Sequence, residues 1–128
     1  MRIKKSTSLN IESDKSHSKS WGTEFWIENG SDYCGKLLVF LAGGATSMHF
    51  HMLKLETMYL EEGEIHVHLI DPETGTHYTE QLFPGDSIQI PRGQPHRLAA
   101  VEYSRLFEFS TQHFDTDSYR ITPPTSWN

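Results

Sequence analysis

From Trp21 onward the chain is a succession of short apolar runs, each broken by Gly, Pro or Asp, and this punctuation limits the fold more than any other feature. The runs Thr23–Glu28, Lys36–Ala42, Thr46–His51, Glu56–Leu60, Glu64–Ile70, Thr79–Phe83, Ser87–Ile90, His96–Ala100 and Arg105–Ser110 read as strands. At about five residues each they have ordinary strand length. Turn signals separate them: Asn29-Gly30, Gly43-Gly44, Glu62-Gly63, Asp71-Pro72, Pro84-Gly85-Asp86 and Pro91-Arg92-Gly93. No stretch long enough for a helix carries a 3.6-residue apolar period, so helices should be few. Many short strands at this spacing predict an all-β sandwich or barrel. A length of 128 residues without internal repeats predicts one domain. It should occupy residues 21–128. Residues 1–20, rich in Ser, Lys and Asp, read as an arm, or as an edge strand that orders by pairing with a partner.

Charge and cysteine content remove several function classes. A net charge of −6 argues against nucleic acid as partner, because phosphate binding needs clustered Lys and Arg. The one basic cluster, Arg2, Lys4 and Lys5, reads as a solvated end. No apolar stretch reaches the length of a membrane span, and residues 1–20 hold none suited to a signal peptide, so a cytoplasmic protein with no membrane partner is expected. The single cysteine, Cys34, cannot form an internal disulfide and reads as a packed or half-exposed thiol.

The eight histidines are unevenly placed. His49 and His51 are two apart on a predicted strand and therefore project to the same face. A short turn then reverses the chain, and Glu56 begins the next strand at the same level. Further on, the corner made by Pro91 and Gly93 should aim His96 inward at the start of another strand. Three neutral imidazoles and one carboxylate suit Mn, Fe, Co, Ni or Zn better than Ca or Mg, which prefer all-oxygen shells. His49, His51, Glu56 and His96 are therefore the expected ligands of one divalent transition metal ion. An octahedral centre would leave two positions for water or substrate. His66 and His68 also form a His-x-His pair, but Ile65, Val67 and Leu69 alternate with them and claim the core, so these imidazoles should face outward.

In these segments the chain resembles the cupin superfamily. Gly43, His49, His51, Glu56 and Gly63 fit the spacing G-x5-H-x-H-x4-E-x6-G, and Gly85, Pro91, Gly93 and His96 fit G-x5-P-x-G-x2-H-x3-N. Ala100 stands where the second motif has Asn, which puts local packing in question but leaves the metal ligands intact. The resemblance implies a single-domain double-stranded β-helix, the cupin or jelly-roll barrel. It also implies a homodimer paired through an N-terminal strand, which would cover an exposed sheet edge. Trp26 and Tyr33 are read as core residues, with a place in that interface as the alternative.

Function is less legible, because one fold hosts many chemistries. Trp21-Gly22-Thr23-Glu24 looks like the entry strand of cupins that act on sugar phosphates, as do Lys54 between His51 and Glu56, Glu108 to Ser110, and Asp117 to Arg120. The leading expectation is a metal-dependent enzyme acting on a small sugar or sugar derivative, most simply an aldose–ketose isomerase. In that chemistry a metal binds two adjacent oxygens, and a base moves the proton. Glu108 is the candidate base, and Lys54, Arg97 or Arg105 could supply a cation for a substrate phosphate. Each has a plainer reading: Lys54 as a solvated turn residue, Glu108 and Glu24 as exposed strand carboxylates, Arg120 as a tail contact. Two other classes stay open. An iron-dependent dioxygenase could use the same ligands, and would differ by consuming O₂. A non-catalytic module that binds a small ligand could use the apolar residues Met58, Leu60 and Leu98 that share faces with the ligands.

Overall fold

The computed structural model describes residues 1–3 and 16–121. Its strands are β1 (Ser16–Lys19), β2 (Gly22–Asn29), β3 (Cys34–Phe40), β4 (His49–Phe50), β5 (Glu56–Glu62), β6 (Ile65–Ile70), β7 (His77–Leu82), β8 (Ser87–Ile90), β9 (His96–Ala100), β10 (Ser104–Ser110) and β11 (Tyr119–Arg120). One 3₁₀ turn, Asp115–Asp117, precedes β11, and the described residues contain no α-helix. The strands form two antiparallel sheets, ordered β1-β2-β3-β10-β5-β8 and β11-β4-β9-β6-β7. After β3 the chain crosses from sheet to sheet at each connection except the β6–β7 hairpin, which stays within the second sheet; this is jelly-roll connectivity.

Alternation divides each strand into a core face and a solvent face. In β6, Ile65, Val67 and Leu69 are buried while His66 and His68 lie toward solvent, as the pattern predicted. The described part of the predicted arm contains β1, which pairs with β2 in the same chain, and residues 4–15 lie outside the described residues. The strand predicted over 46–51 is shorter in the structure, because the Thr46 side chain accepts the Leu98 N–H at 3.0 Å and interrupts the ladder before β4. Tyr33 is 61% exposed rather than a core residue.

The two halves of the barrel interior differ. One half is apolar, closed by Phe40, Leu60, Ile65, Val67, Leu98 and Leu106. Ala100 lies in that core at 4% exposure, and its backbone pairs with Gly43 and Gly44, so the small side chain leaves the local packing closed. In the other half, polar side chains line a cavity of about 850 Å³.

The β2–β3 pairing explains the glycine beside Trp21. Gly22 has φ +151°, and a Cβ there would stand 1.9 Å from the Val39 carbonyl oxygen. Gly22→Ala should therefore force the two strands apart, at a cost of about 3 kcal/mol or more in urea unfolding, the range reached by backbone strain and overpacking. Gly35→Ala, where a Cβ meets nothing within 4 Å, should leave stability unchanged or slightly raised. Equal destabilisation by both would refute this account of Gly22.

Candidate metal centre

The second sheet brings three imidazoles together. His49 pairs in register with His96 across β4 and β9, and His51 follows at the end of β4. One ring nitrogen from each of His49, His51 and His96 lies within 4.8 Å of the other two. The other nitrogen of each ring is committed to a backbone carbonyl: Nδ1 of His49 donates to Ser47 O, Nδ1 of His51 to Asp117 O, and Nδ1 of His96 to Gln94 O, each at 2.8 Å. A carbonyl can only accept, so the proton sits on Nδ1 and the lone pair on Nε2 faces the cavity. This is the outer-shell arrangement that orients metal-ligating histidines.

The electrostatics agree with that tautomer. Burial, reinforced by the nearby His96, lowers the His49 pKa to about 3. Burial and the neighbouring Lys54 lower His51 to about 4. Both rings are neutral at ordinary pH, the form that binds metal.

Glu56 enters from the facing sheet. Its Oε1 lies 3.1 Å from His96 Nε2, and its Oε2 3.1 Å from Lys54 Nζ. Burial pushes the Glu56 carboxyl up, but the Lys54 ammonium beside it opposes this, and the group is held below the usual carboxylate range. Glu56 is thus an anion at 1% exposure. Oε2 is ion-paired with Lys54, but Oε1 and His96 Nε2 are buried and face each other with no hydrogen bond between them. Acceptor atoms are not left facing one another in a closed site without cost, and a cation between them removes it. The donor set therefore fits a divalent transition ion, with Glu56 beside the three histidines.

Neighbouring loops fix this geometry. The backbone N–H of Gly93, at the corner before His96, donates to His51 O at 2.7 Å and ties the two histidine segments together. Gly93 has φ +79°, a conformation open to glycine at little cost. Buried Asp117 caps the turn after His51: Oδ1 accepts the Met52 N–H at 2.9 Å, and Oδ2 accepts the Lys54 N–H at 3.1 Å.

The first sheet supplies the opposite wall. Trp26, Lys36, Glu108 and Met58 form one row across β2, β3, β10 and β5. Glu108 is buried rather than solvent-facing, and Lys54, at 4% exposure, is not a solvated turn residue. Lys54 Nζ donates to Glu108 Oε2 at 3.1 Å, and Ser110 Oγ donates to the same oxygen at 3.0 Å. Burial, then the nearby Glu56, pushes the Glu108 pKa up.

Three residues of this wall escaped the sequence reading: Lys36, His113 and His17. Lys36 alternates with Leu38 and Phe40 along β3, which was a legible sign that it points inward. His113, within 3.3 Å of Lys54 Nζ, lies in a loop that has no period to read. Glu24 proves to be half-buried in the cavity, where Lys36 Nζ donates to its Oε1 at 2.8 Å. Arg120 pairs with His49 across β4 and β11 and is exposed on the cavity lining. Among the described residues, His66 and His68 belong to no metal-sized cluster; His66 instead lies 2.8 Å from Glu64.

Two antiparallel sheets closed around a histidine-lined cavity define a jelly-roll barrel with a candidate metal centre. The chain belongs to the cupin domain family, whose model matches residues 36–107. Solved structures of the same fold include oxalate decarboxylase from Bacillus subtilis, at 16% identity and a TM-score of 0.74, with 83% of this chain and 30% of that one covered. The capsular polysaccharide assembling protein CapF from Staphylococcus aureus is similar at 14% identity and a TM-score of 0.75, with 84% and 32% covered. The chain therefore spans about a third of the length of these proteins. No curated protein sequence matches it. No helix among the described residues is long and apolar enough to cross a membrane.

Proposed function

We propose that this cupin is a metal-dependent enzyme that moves a proton between adjacent carbons of a small sugar, an aldose–ketose isomerase in reaction class. The observation that carries the reading is Glu108, a buried carboxylate with a raised pKa joined through Lys54 to the ligand Glu56. A general base works best with its pKa near the working pH, and burial moves Glu108 in that direction. A divalent ion held by His49, His51, Glu56 and His96 would supply the Lewis acidity that acidifies the C–H bond next to the substrate carbonyl. Glu108 then removes that proton and returns it to the neighbouring carbon, while the hydroxyl proton passes to the former carbonyl oxygen. Lys54 keeps its ammonium charge between Glu56 and Glu108 and holds Glu108 Oε2 in place. The walls of the half-closed cavity limit access of bulk water to the exchanging proton. The carbohydrate assignment draws support from CapF, a capsular polysaccharide assembling protein of the same fold.

The test is solvent isotope incorporation. Metal-loaded protein incubated in D₂O with a panel of aldoses, ketoses and their phosphates should place deuterium on the carbon next to the carbonyl, read by NMR. A panel with no C–H exchange would sink the isomerase reading. The apolar stretch of the cavity, Leu38, Met58 and Leu98, favours one second reading, a binding module without turnover. Ligand affinity that depends on metal, in the absence of exchange, would establish it.

A further inference from the structure

The cavity extends well past the histidines, and its far wall is built from a cluster that the proton transfer does not use. Glu24 Oε1 accepts two hydrogen bonds, from Trp26 Nε1 at 2.6 Å and from Lys36 Nζ at 2.8 Å. The Lys36 ammonium, on a residue only 1% exposed, also lies 4.6 Å from the centroid of the Trp26 ring. His17 from β1 packs on the same indole at 4.4 Å, and its Nε2 is buried with no hydrogen-bonded partner. All four residues line the cavity.

We propose that Glu24, Trp26, Lys36 and His17 form a second subsite, which binds the distal hydroxyl groups of a neutral polyhydroxy ligand whose near end lies against the histidine centre. The inference rests on the carbohydrate reading above and extends it by assigning the ligand's charge and length.

Charge comes first. The buried cations of the wall are already neutralised: Lys36 by Glu24, and Lys54 by Glu56 and Glu108. A dianion lying against this wall, away from the ion at the histidine centre, would meet no spare buried cation, and desolvating it would be costly. A hydroxyl both donates and accepts, so it suits a wall that alternates carboxylate and ammonium groups. It would also give His17 Nε2 the partner that the protein does not provide. The remaining cations on the lining, Lys19, Arg97 and Arg120, are more solvent-accessible and screened accordingly.

Length follows from the sheet. Glu56 is on β5 and Lys36 on β3, with β10 between them. Two interstrand spacings separate their backbones by roughly 10 Å. A two-carbon glycol at the histidine centre cannot reach Lys36, whereas a molecule of hexose length can.

Calorimetric titration of the Mn(II)-loaded protein with D-sorbitol, ethylene glycol and oxalate tests the proposal. Sorbitol has no carbonyl to isomerise, so its binding is read without turnover. It should bind at least tenfold more tightly than either ethylene glycol or oxalate. Glu24→Gln and Lys36→Met should each weaken sorbitol binding tenfold or more, while leaving Mn(II) affinity and ethylene glycol binding unchanged. Should Lys36→Met fail to fold, the near-isosteric Glu24→Gln decides alone. Sorbitol affinity unchanged by Glu24→Gln, equal affinity for glycol and sorbitol, or preference for oxalate would each overturn the subsite. Failure of the isomerase reading is distinguishable: sorbitol would bind as described while no sugar exchanged its C–H proton.

Discussion

Replacing Glu108 by Gln is expected to lower turnover by about 10²- to 10⁴-fold, the range a positioned general base contributes, with metal affinity unchanged. The substitution keeps the side chain's volume in a position only 4% exposed. It also keeps an oxygen that can accept from Lys54 and Ser110, as Oε2 does. What it removes is proton affinity. Lys54 retains Glu56 as counterion at 3.1 Å, so no buried charge is left alone. The loss should fall on kcat rather than KM, because the base acts on a bond that changes only in the transition state. A pH profile gives a second readout. The Glu108 pKa is raised by burial and by Glu56, and the base must be deprotonated to act. The wild-type rate should therefore climb with pH across a limb lying above the ordinary carboxylate range and flatten beyond it. In Glu108→Gln that limb should be missing from the residual activity. A variant that turns over within a few fold of wild type would remove Glu108 from the role.

How far the sequence disclosed this arrangement follows from what fixes each residue. His49, His51, Glu56 and His96 lie beside fixed turns on strands with a strict period of two, so residue type and spacing suffice to place them. The same rule turned His66 and His68 outward, because Ile65, Val67 and Leu69 claim the buried face. Lys36, Glu24 and Trp26 were harder. Glu24 read as an exposed strand carboxylate and Trp26 as a core residue, and Lys36 went unread, whereas their cross-strand partners determine where they sit. Trp26 stands beside Lys36 across the β2–β3 hairpin, and Lys36 beside Glu108 on β10, a strand far along the chain. A linear reading supplies the alternation within each strand but not the register between strands. Asp117 shows the same limit. Its carboxylate caps Met52, Leu53 and Lys54, which precede it by more than sixty residues, and only the closed barrel makes that contact.

The second large effect concerns the metal-free protein, whose stability should fall as the pH is lowered from 6.5 toward 4. In the folded chain the His51 pKa is lowered to about 4 and that of His49 to about 3, whereas both stand near 6.5 when exposed. Across this interval the unfolded chain takes up protons that the folded chain refuses, so unfolding is favoured. For His51 alone the difference between 6.5 and about 4 is worth on the order of 3 kcal/mol. Glu108, shifted upward, acts in the opposite sense over part of the same range. The His51 share is therefore read as the difference between the melting curves of wild type and His51→Gln. That variant should lose the His51 part of the acid sensitivity and keep the part carried by His49. Divalent metal adds a second, coupled readout. An ion that binds only the folded chain stabilises it by about 2.7 kcal/mol at a hundredfold excess over Kd. Wild type at pH 7 should thus melt about 10 °C higher with saturating Mn(II) or Zn(II), given the usual entropy of unfolding for a domain of this size. The gain should shrink toward acid, where protons compete for the same nitrogens. In His51→Gln it should be small at every pH. An equal metal-induced rise in wild type and variant, or a metal-free midpoint that stays level from pH 6.5 to 4 in both, would mean that these imidazoles neither hold the ion nor carry the burial penalty their surroundings impose.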